Sequence, residues 1–413
     1  MTASTTLSID RLGRRGDGVA RTVEGQTVLV PLTLPGEVVT GEIRDGRIAA
    51  PAIVTASADR VAPPCPHYAD CGGCLLMHGS DGFVARWKAD SVLTALAAQG
   101  IGATIAGIAT SPPRSRRRAV LSGRRAKKGV TLGFHARQSE RIVDIHSCHV
   151  LRPAILAALP ALRDLVAAGA SRTAELVLTV TEGPAGLDLA VSGGKPLTPA
   201  LSQTLAAVAE AADLARLDWD GVPMTRRAPV QRMGRAQVIP PPGAFLQATA
   251  EGEAALRAVV RHALKGAARV VDLFAGCGTF ALPLAETAEV HAVEGLAAPL
   301  AALDQGWRDA HGLKRVTTET RDLAARPLLA DELQGFDAVV IDPPRSGAAA
   351  QAAQLAALRD GPTRVAWVSC DPVSFARDAK RMIEGGWRMD PIHVVDQFRW
   401  SPHVETVTVF RRG

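Results

Sequence analysis

Asp272-Leu-Phe-Ala-Gly-Cys-Gly-Thr279 is the stretch that decides the fold of this 413-residue chain. The apolar, β-branched residues of Arg269–Phe274 predict a buried strand, and Gly276 and Gly278 predict a turn that leads into a helix. Strand patterns separated by helical patterns continue to the end of the chain. They cover Glu289–Glu294, Val316–Thr320, Phe336–Asp342, Arg364–Ser369, Ile392–Asp396 and His403–Phe410. Such β-α repeats predict an α/β fold with a doubly wound, Rossmann-like parallel sheet.

A carboxylate follows the second of these strands, at the position that suits a nucleoside site. Glu294 stands 22 positions after Asp272, where an acidic side chain can accept both hydroxyls of a ribose. The glycine turn lacks the third glycine of the dinucleotide fingerprint. This favours a nucleoside ligand without a pyrophosphate, such as S-adenosylmethionine (AdoMet), over NAD. The alternative is a glycine turn that only connects a strand to a helix.

One thiol, Cys370, follows the strand Arg364–Ser369 just before a helical pattern at 374–385. The carboxyl ends of parallel strands face the ligand crevice, and a helix N-terminus is expected to lower the pKa of a thiol beside it. The alternative is a cysteine that packs as a small hydrophobe. The segment Asp342-Pro-Pro-Arg345 ends the fourth strand, and it is either part of the same site or a rigid turn.

Cys370, Asp342 and Glu405 offer the residue types that methylation of carbon 5 of a uracil ring requires. Carbon 5 becomes nucleophilic only after a thiolate adds to carbon 6, and a base must later remove the carbon-5 proton so that the thiol can leave. Cys370 is the candidate nucleophile, Asp342 the candidate donor or acid near the ring, and Glu405 the candidate base. The alternative for Glu405 is a solvated carboxylate on a strand.

The sequence predicts three domains. Residues 1–58 contain short apolar runs separated by Gly and Pro, which suits a small antiparallel barrel of the oligonucleotide-binding type. A central domain covers 59–240, and the β-α repeats occupy 241–413. The central domain carries a dense basic segment, for which we expect phosphate contacts; it consists of Arg114, Arg116, Arg117, Arg118, Arg124, Arg125, Lys127 and Lys128.

The overall charge favours a polyanionic partner, because the chain has a net charge of +6 and a pI near 9.2. The first ten residues lack a basic leader with an apolar core, and no stretch approaches the ~20 apolar residues that cross a bilayer. We therefore expect a cytoplasmic protein with no membrane partner.

Four of the six cysteines form a candidate metal site: Cys65, Cys71, Cys74 and Cys148. In a reducing compartment such a set indicates metal binding or catalysis before disulfides. Their unequal spacing favours an iron–sulfur cluster, and zinc or unliganded thiols are the alternatives. Cys277, inside the glycine turn, is expected to pack.

These motifs together resemble the RNA 5-methyluridine methyltransferase family, and within it the 23S rRNA uracil-5 branch. The resemblance extends over nearly the whole chain and implies a TRAM domain, an RNA-binding barrel, at 1–58. It implies a [4Fe–4S] cluster on the four cysteines, with Cys370 as nucleophile and Glu405 as base. It places at the AdoMet site Gln247, Phe274, Thr279, Glu294, Asp322 and Asp342, to which the glycine loop adds Asp272, Gly276 and Gly278. The implied enzyme is a monomer that methylates a uridine of 23S rRNA, with tRNA as the alternative substrate.

Three positions depart from the family pattern. Asp371 stands where the family usually has Asn, Thr249 also replaces an Asn, and Phe398-Arg-Trp-Ser401 replaces Phe-Pro-x-Thr. Asp371 matters most, since a carboxylate beside Cys370 opposes thiolate formation unless it is itself paired. Two other classes are less consistent with the motifs. A radical-AdoMet methylthiotransferase would lack the glycine loop, and a non-catalytic RNA-binding protein would not need Cys370 and Glu405.

Overall fold

Residues 4–127 and 129–412 are described by the computed structural model, and their strands form four sheets. The first sheet is antiparallel and consists of β1 (Thr5–Leu12), β2 (Gly18–Arg21), β3 (Thr27–Val30), β4 (Val38–Gly41) and β5 (Ala52–Thr55). Its strand order is β3-β2-β1-β4-β5. Because side chains alternate between the two faces of a strand, Leu7, Ile9 and Val28 meet in a small core of their own.

The cysteine-rich segment leads into α1 (Asp81–Ala97) and β6 (Ile105–Thr110). Ser80 is the N-cap of α1, and its hydroxyl accepts a hydrogen bond from the Phe83 N–H at 3.2 Å, which satisfies one of the free amide groups at the helix start.

The central sheet has seven strands, with two helices packed on it. Its elements are β7 (Arg118–Ala126), β8 (Gly129–His135), β9 (Ile142–Asp144), α2 (Pro153–Gly169), β10 (Leu176–Gly183), β11 (Gly186–Ser192), α3 (Pro199–Ala211), β12 (Leu214–Trp219) and β13 (Val222–Thr225). The order is β13-β12-β11-β10-β7-β8-β9. Leu162 and Val166 of α2 and Leu205 of α3 are fully buried in its core. A hairpin of β14 (Gln231–Met233) and β15 (Ala236–Val238) follows.

The β-α repeats form the C-terminal sheet. Its elements are α4 (Ala250–Ala263), β16 (Arg269–Leu273), α5 (Ala281–Leu284), β17 (Glu289–Glu294), α6 (Ala297–Asp309), β18 (Val316–Thr320), α7 (Ala330–Leu333), β19 (Ala338–Ile341), α8 (Ala349–Ala357), β20 (Arg364–Ser369), α9 (Pro372–Glu384), β21 (Arg388–Met389), β22 (Ile392–Asp396) and β23 (Glu405–Arg411). The main path of strands is β18-β17-β16-β19-β20-β23-β22-β6, and β21 pairs with β23.

The strands β16 to β20 are parallel, as predicted, and β23 runs antiparallel to β20. Helices cover both faces of the sheet. Leu256 of α4 and Leu303 of α6 belong to the core on one face, whereas Leu355 of α8 and Phe375 of α9 belong to the core on the other. The Rossmann-like α/β prediction is confirmed for this part of the chain.

The C-terminal sheet recruits a strand from far upstream. Strand β6 pairs in parallel with β22, and Val92 and Leu96 of α1 share a core with Phe375 and Met382 of α9. The predicted boundary at residue 241 did not include residues 81–110 in this domain. The alternation of strand and helix cannot reveal such an addition, because β6 and its neighbour β22 are almost three hundred residues apart in sequence.

Candidate active site

The glycine loop after β16 has the backbone conformation that its residues predicted. Gly276 and Gly278 have φ of +54° and +96°, in the left-handed region that glycine enters without steric cost. A Cβ added to Gly278 would lie 2.8 to 2.9 Å from side-chain atoms of Leu282 and Leu303, so the loop also needs glycine there for packing. Phe274, with φ of +62°, turns the chain out of the strand in the same region.

Glu294 connects the end of β17 to this loop. Its carboxylate accepts hydrogen bonds from the N–H of Gly276 at 3.0 Å and from the N–H of Leu296 at 2.9 Å. Asp322 follows β18 and is exposed. Asp272 is buried at the end of β16, and neither of its carboxylate oxygens has a hydrogen-bond partner among the described residues. Because β18, β17 and β16 are neighbours, these three carboxyl groups lie along one edge of the sheet.

These residues fit an AdoMet-sized nucleoside ligand. The loop brings backbone amides to the sheet edge, and the orphaned oxygens of Asp272 together with Glu294 offer acceptors for ribose and amino groups. Burial raises the pKa of Asp272 well above its ordinary value, and the negative charge of Asp342 adds to this effect. Thr279 is half-buried at the start of the following turn.

Cys370 and Glu405 face each other across two antiparallel strands. Ser369 of β20 is paired with Thr406 of β23, which places the next residue of β20, Cys370, opposite Glu405. Glu405 is 3 % exposed, so it is not the solvated strand carboxylate that was the alternative. One of its oxygens, Oε2, has no hydrogen-bond partner among the described residues.

Asp342 lies beside this pair at the end of β19. Part of its surface remains accessible, but surrounding protein desolvates the carboxyl group and raises its pKa to about 7. Gln247 opposes this shift by donating a hydrogen bond from Nε2 to Oδ2 of Asp342 at 3.2 Å. Burial raises the pKa of Glu405 well above its ordinary value, and the charge of Asp342 raises it further.

The thiol of Cys370 does not have the low pKa that its place before a helix predicted. Burial raises its pKa to about 12, the carboxylates of Glu405 and Asp342 raise it as well, and Arg345 works in the opposite direction. The start of α9 does not offset these causes, because its free amides are already occupied. Asp371 itself accepts hydrogen bonds from the N–H groups of Val373 at 2.9 Å and Ser374 at 3.0 Å, so these amides serve Asp371 and not the thiol.

Arg345 and His403 stand at the edge of the site. The guanidinium of Arg345 contacts the ring nitrogens of His403 at 3.1 and 3.2 Å. Burial and the positive charge of Arg345 lower the pKa of His403 to about 4, so the imidazole is neutral at pH 7. The guanidinium carbon of Arg116 lies over the ring of Phe398, 5.7 Å from the centre of that ring. The charge of Arg345 therefore acts on both His403 and the thiol of Cys370, and Phe398 packs against His403 with ring centres 5.8 Å apart.

The four clustered cysteines also come together. All are free thiols and line a cavity of about 920 Å³, which extends to Arg345 and His403. The N–H groups of Gly73 and Val150 point at the sulfurs of Cys71 and Cys148, each at 3.4 Å. Burial raises the pKa of Cys71, Cys74 and Cys148, and the neighbouring thiols of the set contribute to each shift. Among residues 4–127 and 129–412, no group of three or more His, Cys, Asp or Glu is arranged to hold a metal ion.

The basic segment serves the fold more than was predicted. Arg117 is buried, pairs with Glu253, and donates to the carbonyl of Gln247 at 3.1 Å. Arg118 donates to the carbonyls of Gly243 and Ala244. These two arginines join the central sheet to the segment that carries Gln247. The prediction of phosphate contacts is wrong for Arg117, whose charge is already neutralised inside the protein. Lys128 lies outside the described residues.

Two residues in contact with the site were not singled out by their sequence. Gln397 lies against Gln247 and Glu405, and Arg14 of the N-terminal sheet pairs with Asp371. No sequence motif marks either residue. Their positions depend on contacts between elements that are far apart in sequence.

The fold and the site together define a class: an AdoMet-dependent methyltransferase. The structure resembles that of the tRNA (uracil-54, C5)-methyltransferase of Pyrococcus abyssi, solved with S-adenosyl-L-homocysteine. The TM-score is 0.74, with 98 % of this chain and 99 % of that chain covered, at 21 % sequence identity. No helix in the described part of the chain has the length and apolarity to span a membrane.

Sequence comparison narrows the class to a family. The profile of the tRNA (Uracil-5-)-methyltransferase family matches residues 241–412. The chain is 44 % identical to an uncharacterized RNA methyltransferase of Brucella suis, with both chains fully covered. It is 36 % identical to the 23S rRNA (uracil(1939)-C(5))-methyltransferase RlmD of Halomonas elongata, over 97 % of this chain and 88 % of that protein. The chain belongs to the RNA (uracil-5-)-methyltransferase family, which confirms the resemblance seen in its motifs, and it is an AdoMet-dependent enzyme.

Proposed function

We propose that the chain transfers a methyl group from AdoMet to carbon 5 of a specific uridine in 23S rRNA, through a covalent bond between Cys370 and carbon 6 of the ring. The observation that carries this proposal is the position of Cys370 opposite Glu405, with Asp342 next to both. No simpler methyl transfer to an already nucleophilic atom requires a thiol and a buried base at the same place.

The three residues supply the chemistry in sequence. Cys370 loses its proton to the carboxylate of Asp342 and forms a bond to carbon 6, which moves negative charge toward carbon 5 and the oxygen on carbon 4. Asp342, whose pKa is about 7, can donate a hydrogen bond to the ring at this stage. Bound AdoMet supplies an electrophilic methyl group to carbon 5. Glu405 then accepts the carbon-5 proton, the bond between carbon 6 and sulfur breaks, and the electron pair returns to Cys370.

AdoMet is proposed to bind along the edge formed by the ends of β16 to β19. Glu294 and Asp272 would accept hydrogen bonds from its polar groups, and the turn at Gly276 and Gly278 leaves backbone close to the ligand. The remaining proposed contacts are Gln247, Phe274, Thr279, Asp322 and Asp342. Of these, Gln247 and Asp342 are hydrogen-bonded to each other. The proposed AdoMet site and the proposed uracil site are therefore adjacent.

Cys65, Cys71, Cys74 and Cys148 are proposed to hold a [4Fe–4S] cluster. The residue types support this, because four unbridged thiols share one cavity and two of the sulfurs accept backbone N–H groups, as cluster sulfurs commonly do. The thiols of the described residues would have to draw together around the cluster, since they do not already form a metal-binding group. The cluster would join residues 65–74 to the loop at 148. The N–H groups of Leu75 and Leu76 both donate to the carbonyl of Trp400, at 2.8 and 2.9 Å, so this join would also support the loop before Glu405.

The N-terminal sheet is proposed to be a TRAM-like barrel that contacts RNA. The proposed domains are 1–58, 59–240 and 241–413, with α1 and β6 of the second domain packed on the third. Arg15 and Arg47 of this sheet line the same cavity as Arg345 and His403 of the catalytic edge. One groove thus runs from the first sheet to Arg345 and His403 at the edge of the candidate site, and its cations suit a phosphate backbone. We also propose a monomeric, cytoplasmic enzyme.

The substrate is proposed to be rRNA on the basis of the relative from Halomonas elongata, which aligns over nearly the whole chain. A tRNA uridine is the second candidate, since the matched family profile and the Pyrococcus structure carry tRNA names.

Mass-spectrometric mapping of 5-methyluridine in rRNA and tRNA from a strain without the gene tests the assignment. We expect one site to be lost from 23S rRNA and restored by the wild-type gene but not by Cys370→Ala. If 5-methyluridine is lost from tRNA alone, the substrate is tRNA and not rRNA. If no 5-methyluridine is lost from either RNA, the proposal is contradicted.

A further inference from the structure

The amide of Gln397 lies between two residues of the proposed mechanism. It is 1 % exposed and follows β22 in the loop that leads to Glu405. Its Oε1 accepts a hydrogen bond from the N–H of Ala248 at 2.8 Å. Its Nε2 donates to Oε1 of Gln247 at 2.5 Å, and the amide lies close enough to the carboxylate of Glu405 to favour its ionised form.

These contacts fix the direction of every amide in the chain of hydrogen bonds. A backbone N–H can only donate, so Oε1 of Gln397 is the acceptor and its Nε2 must be the donor. Oε1 of Gln247 then accepts from Gln397, which leaves Nε2 of Gln247 to donate to Asp342 at 3.2 Å. The series starts at the main chain of Ala248 and ends with an N–H donor on Asp342, and the Nε2 side of the Gln397 amide is the side available to the buried carboxyl group of Glu405.

The surrounding packing leaves no room for Gln397 to move away. A Cβ on Gly252, in the first turn of α4, would lie 2.7 Å from the Cβ of Gln397, which is closer than such atoms approach. Arg117 adds a second restraint by holding the carbonyl of Gln247 at 3.1 Å. The Gln397 amide is thus enclosed and held in one orientation, with both its oxygen and its nitrogen hydrogen-bonded. It belongs neither to the glycine loop nor to the set of Cys370, Asp342 and Glu405.

We propose that Gln397 is a positioning residue that keeps Glu405 ionised and aimed as the base, and that sets the orientation of Gln247 toward Asp342. This inference rests on the proposed function. The charged and titratable groups that face Glu405 are Asp342 from the end of β19, Arg345 from the following turn, and Cys370 from the end of β20. Among the described residues around Glu405, Arg345 and Gln397 are the two that favour its ionised form. Without the Gln397 donor, burial and the charge of Asp342 still raise the pKa of Glu405, and the charge of Arg345 is left to oppose them.

The test compares Gln397→Met and Gln397→Glu with the wild-type enzyme. Methionine keeps the volume and removes all hydrogen bonds, whereas glutamate keeps an acceptor for Ala248 but removes the donor and adds negative charge. We expect the acidic limb of the kcat–pH profile to move to higher pH by about one unit in Gln397→Met, since a hydrogen bond to a charged group contributes on this scale. Gln397→Glu should move it further. At pH 7 both variants should accumulate the RNA adduct on Cys370.

Gln351→Met is the matched control. Gln351 is equally buried, but its amide bonds only to the main chain of Leu328, at 2.9 and 3.0 Å. This variant should lose stability without a change in the pH profile. If the two Gln397 variants have the same unshifted profile and differ from the wild type only in stability, the residue is merely structural and the inference is wrong.

Alkylation of Cys370 by iodoacetamide separates this inference from the proposed function, because it needs no RNA. With Glu405 protonated to a higher pH, the thiol loses a negative neighbour. Cys370 should therefore react several-fold faster at neutral pH in Gln397→Met than in the wild type, and at the wild-type rate in Gln351→Met. If the wild-type enzyme methylates no uridine while this difference is found, the function is wrong and the role of Gln397 stands. Normal methylation with unchanged alkylation contradicts the inference alone.

Discussion

The guanidinium of Arg14, in the loop between β1 and β2, pairs with the carboxylate of Asp371, the residue after Cys370. Oδ2 of Asp371 faces Arg14, and Oδ1 accepts the first free N–H groups of α9. The extra carboxylate beside the nucleophile is therefore neutralised from two sides. This answers the question that its sequence raised, because a paired carboxylate opposes ionisation of a neighbouring thiol much less than a free one. It also connects the N-terminal sheet to the catalytic loop.

Asp371→Asn should be nearly neutral, since asparagine caps a helix as well as aspartate and Arg14 is largely exposed. Asp371→Ala removes the cap and should lower the free energy of unfolding by about 1 kcal/mol. Thermal unfolding of both variants measures the difference. Equal stability of the two variants would show that the cap contributes nothing.

Glu405→Gln should transfer the first methyl group but fail to release the product, because the carbon-5 proton has no acceptor. A covalent RNA adduct should then appear as a shifted band on a denaturing gel, and the double variant with Cys370→Ala should not form it. Release of product at the wild-type rate would remove Glu405 from the role of base.

Alkylation of Cys370 should be slow at neutral pH in the free enzyme. Its thiol has a pKa of about 12, so the reactive thiolate increases with pH well beyond the ordinary titration range of a cysteine near 9. Glu405→Gln and Asp342→Asn each remove a negative neighbour and should lower this pKa, which speeds alkylation at pH 8 to 9. Site-resolved mass spectrometry gives the rate for Cys370 separately. A wild-type pH profile in both variants would contradict the described geometry.

Anaerobic purification should yield a brown protein with iron and sulfide, and Cys148→Ser should lose both. Circular dichroism in the near ultraviolet should report a change around Trp400 in the same variant, since Leu75 and Leu76 hold the carbonyl of that residue. A colourless protein with stoichiometric zinc would show that the site binds zinc and not a cluster. A protein without metal would show that the four cysteines are unliganded thiols.

The buried pair of Lys88 and Asp396 should be essential for stability. Lys88 lies in α1 with 0 % of its side chain exposed, contacts Asp396, and donates to the carbonyl of Phe398 at 3.0 Å. Lys88→Met leaves a buried carboxylate without its cation and should cost about 3 to 5 kcal/mol. Chemical denaturation measures this change.

The exposed pair of Arg308 and Asp304 provides the control for that experiment. Arg308→Ala should have no measurable effect. Replacement of both buried partners, as Lys88→Met with Asp396→Leu, should recover most of the loss, because no unpaired charge remains. A stable single variant would mean that Asp396 finds another partner or takes up a proton.

The local sequence pattern was sufficient to predict those elements whose structure depends on residues adjacent in the chain. The glycines at 276 and 278 permit a left-handed turn that other residues resist, and the apolar runs predicted β17, β18, β20 and β22 with the bounds that the structure has. The order of parallel strands then places their carboxyl ends at one edge. For this reason Asp272, Glu294, Asp342 and Cys370 could be assigned to one site before any coordinates.

Only the tertiary structure decided how these groups are tuned and held. The pKa of Cys370 depends on burial and on Asp342 and Glu405, which are not its neighbours in sequence. The helix after Cys370 therefore predicted a lowered pKa, whereas the structure raises it. Gln397 and Arg14 reach the site, and strand β6 reaches the edge of the sheet, through contacts between residues 150 or more positions apart, and no periodicity in the sequence predicts them. The glycine loop that decided the fold follows from backbone sterics within eight residues. The electrostatics of the thiol follow from desolvation and charge, which exist only once the distant segments have packed.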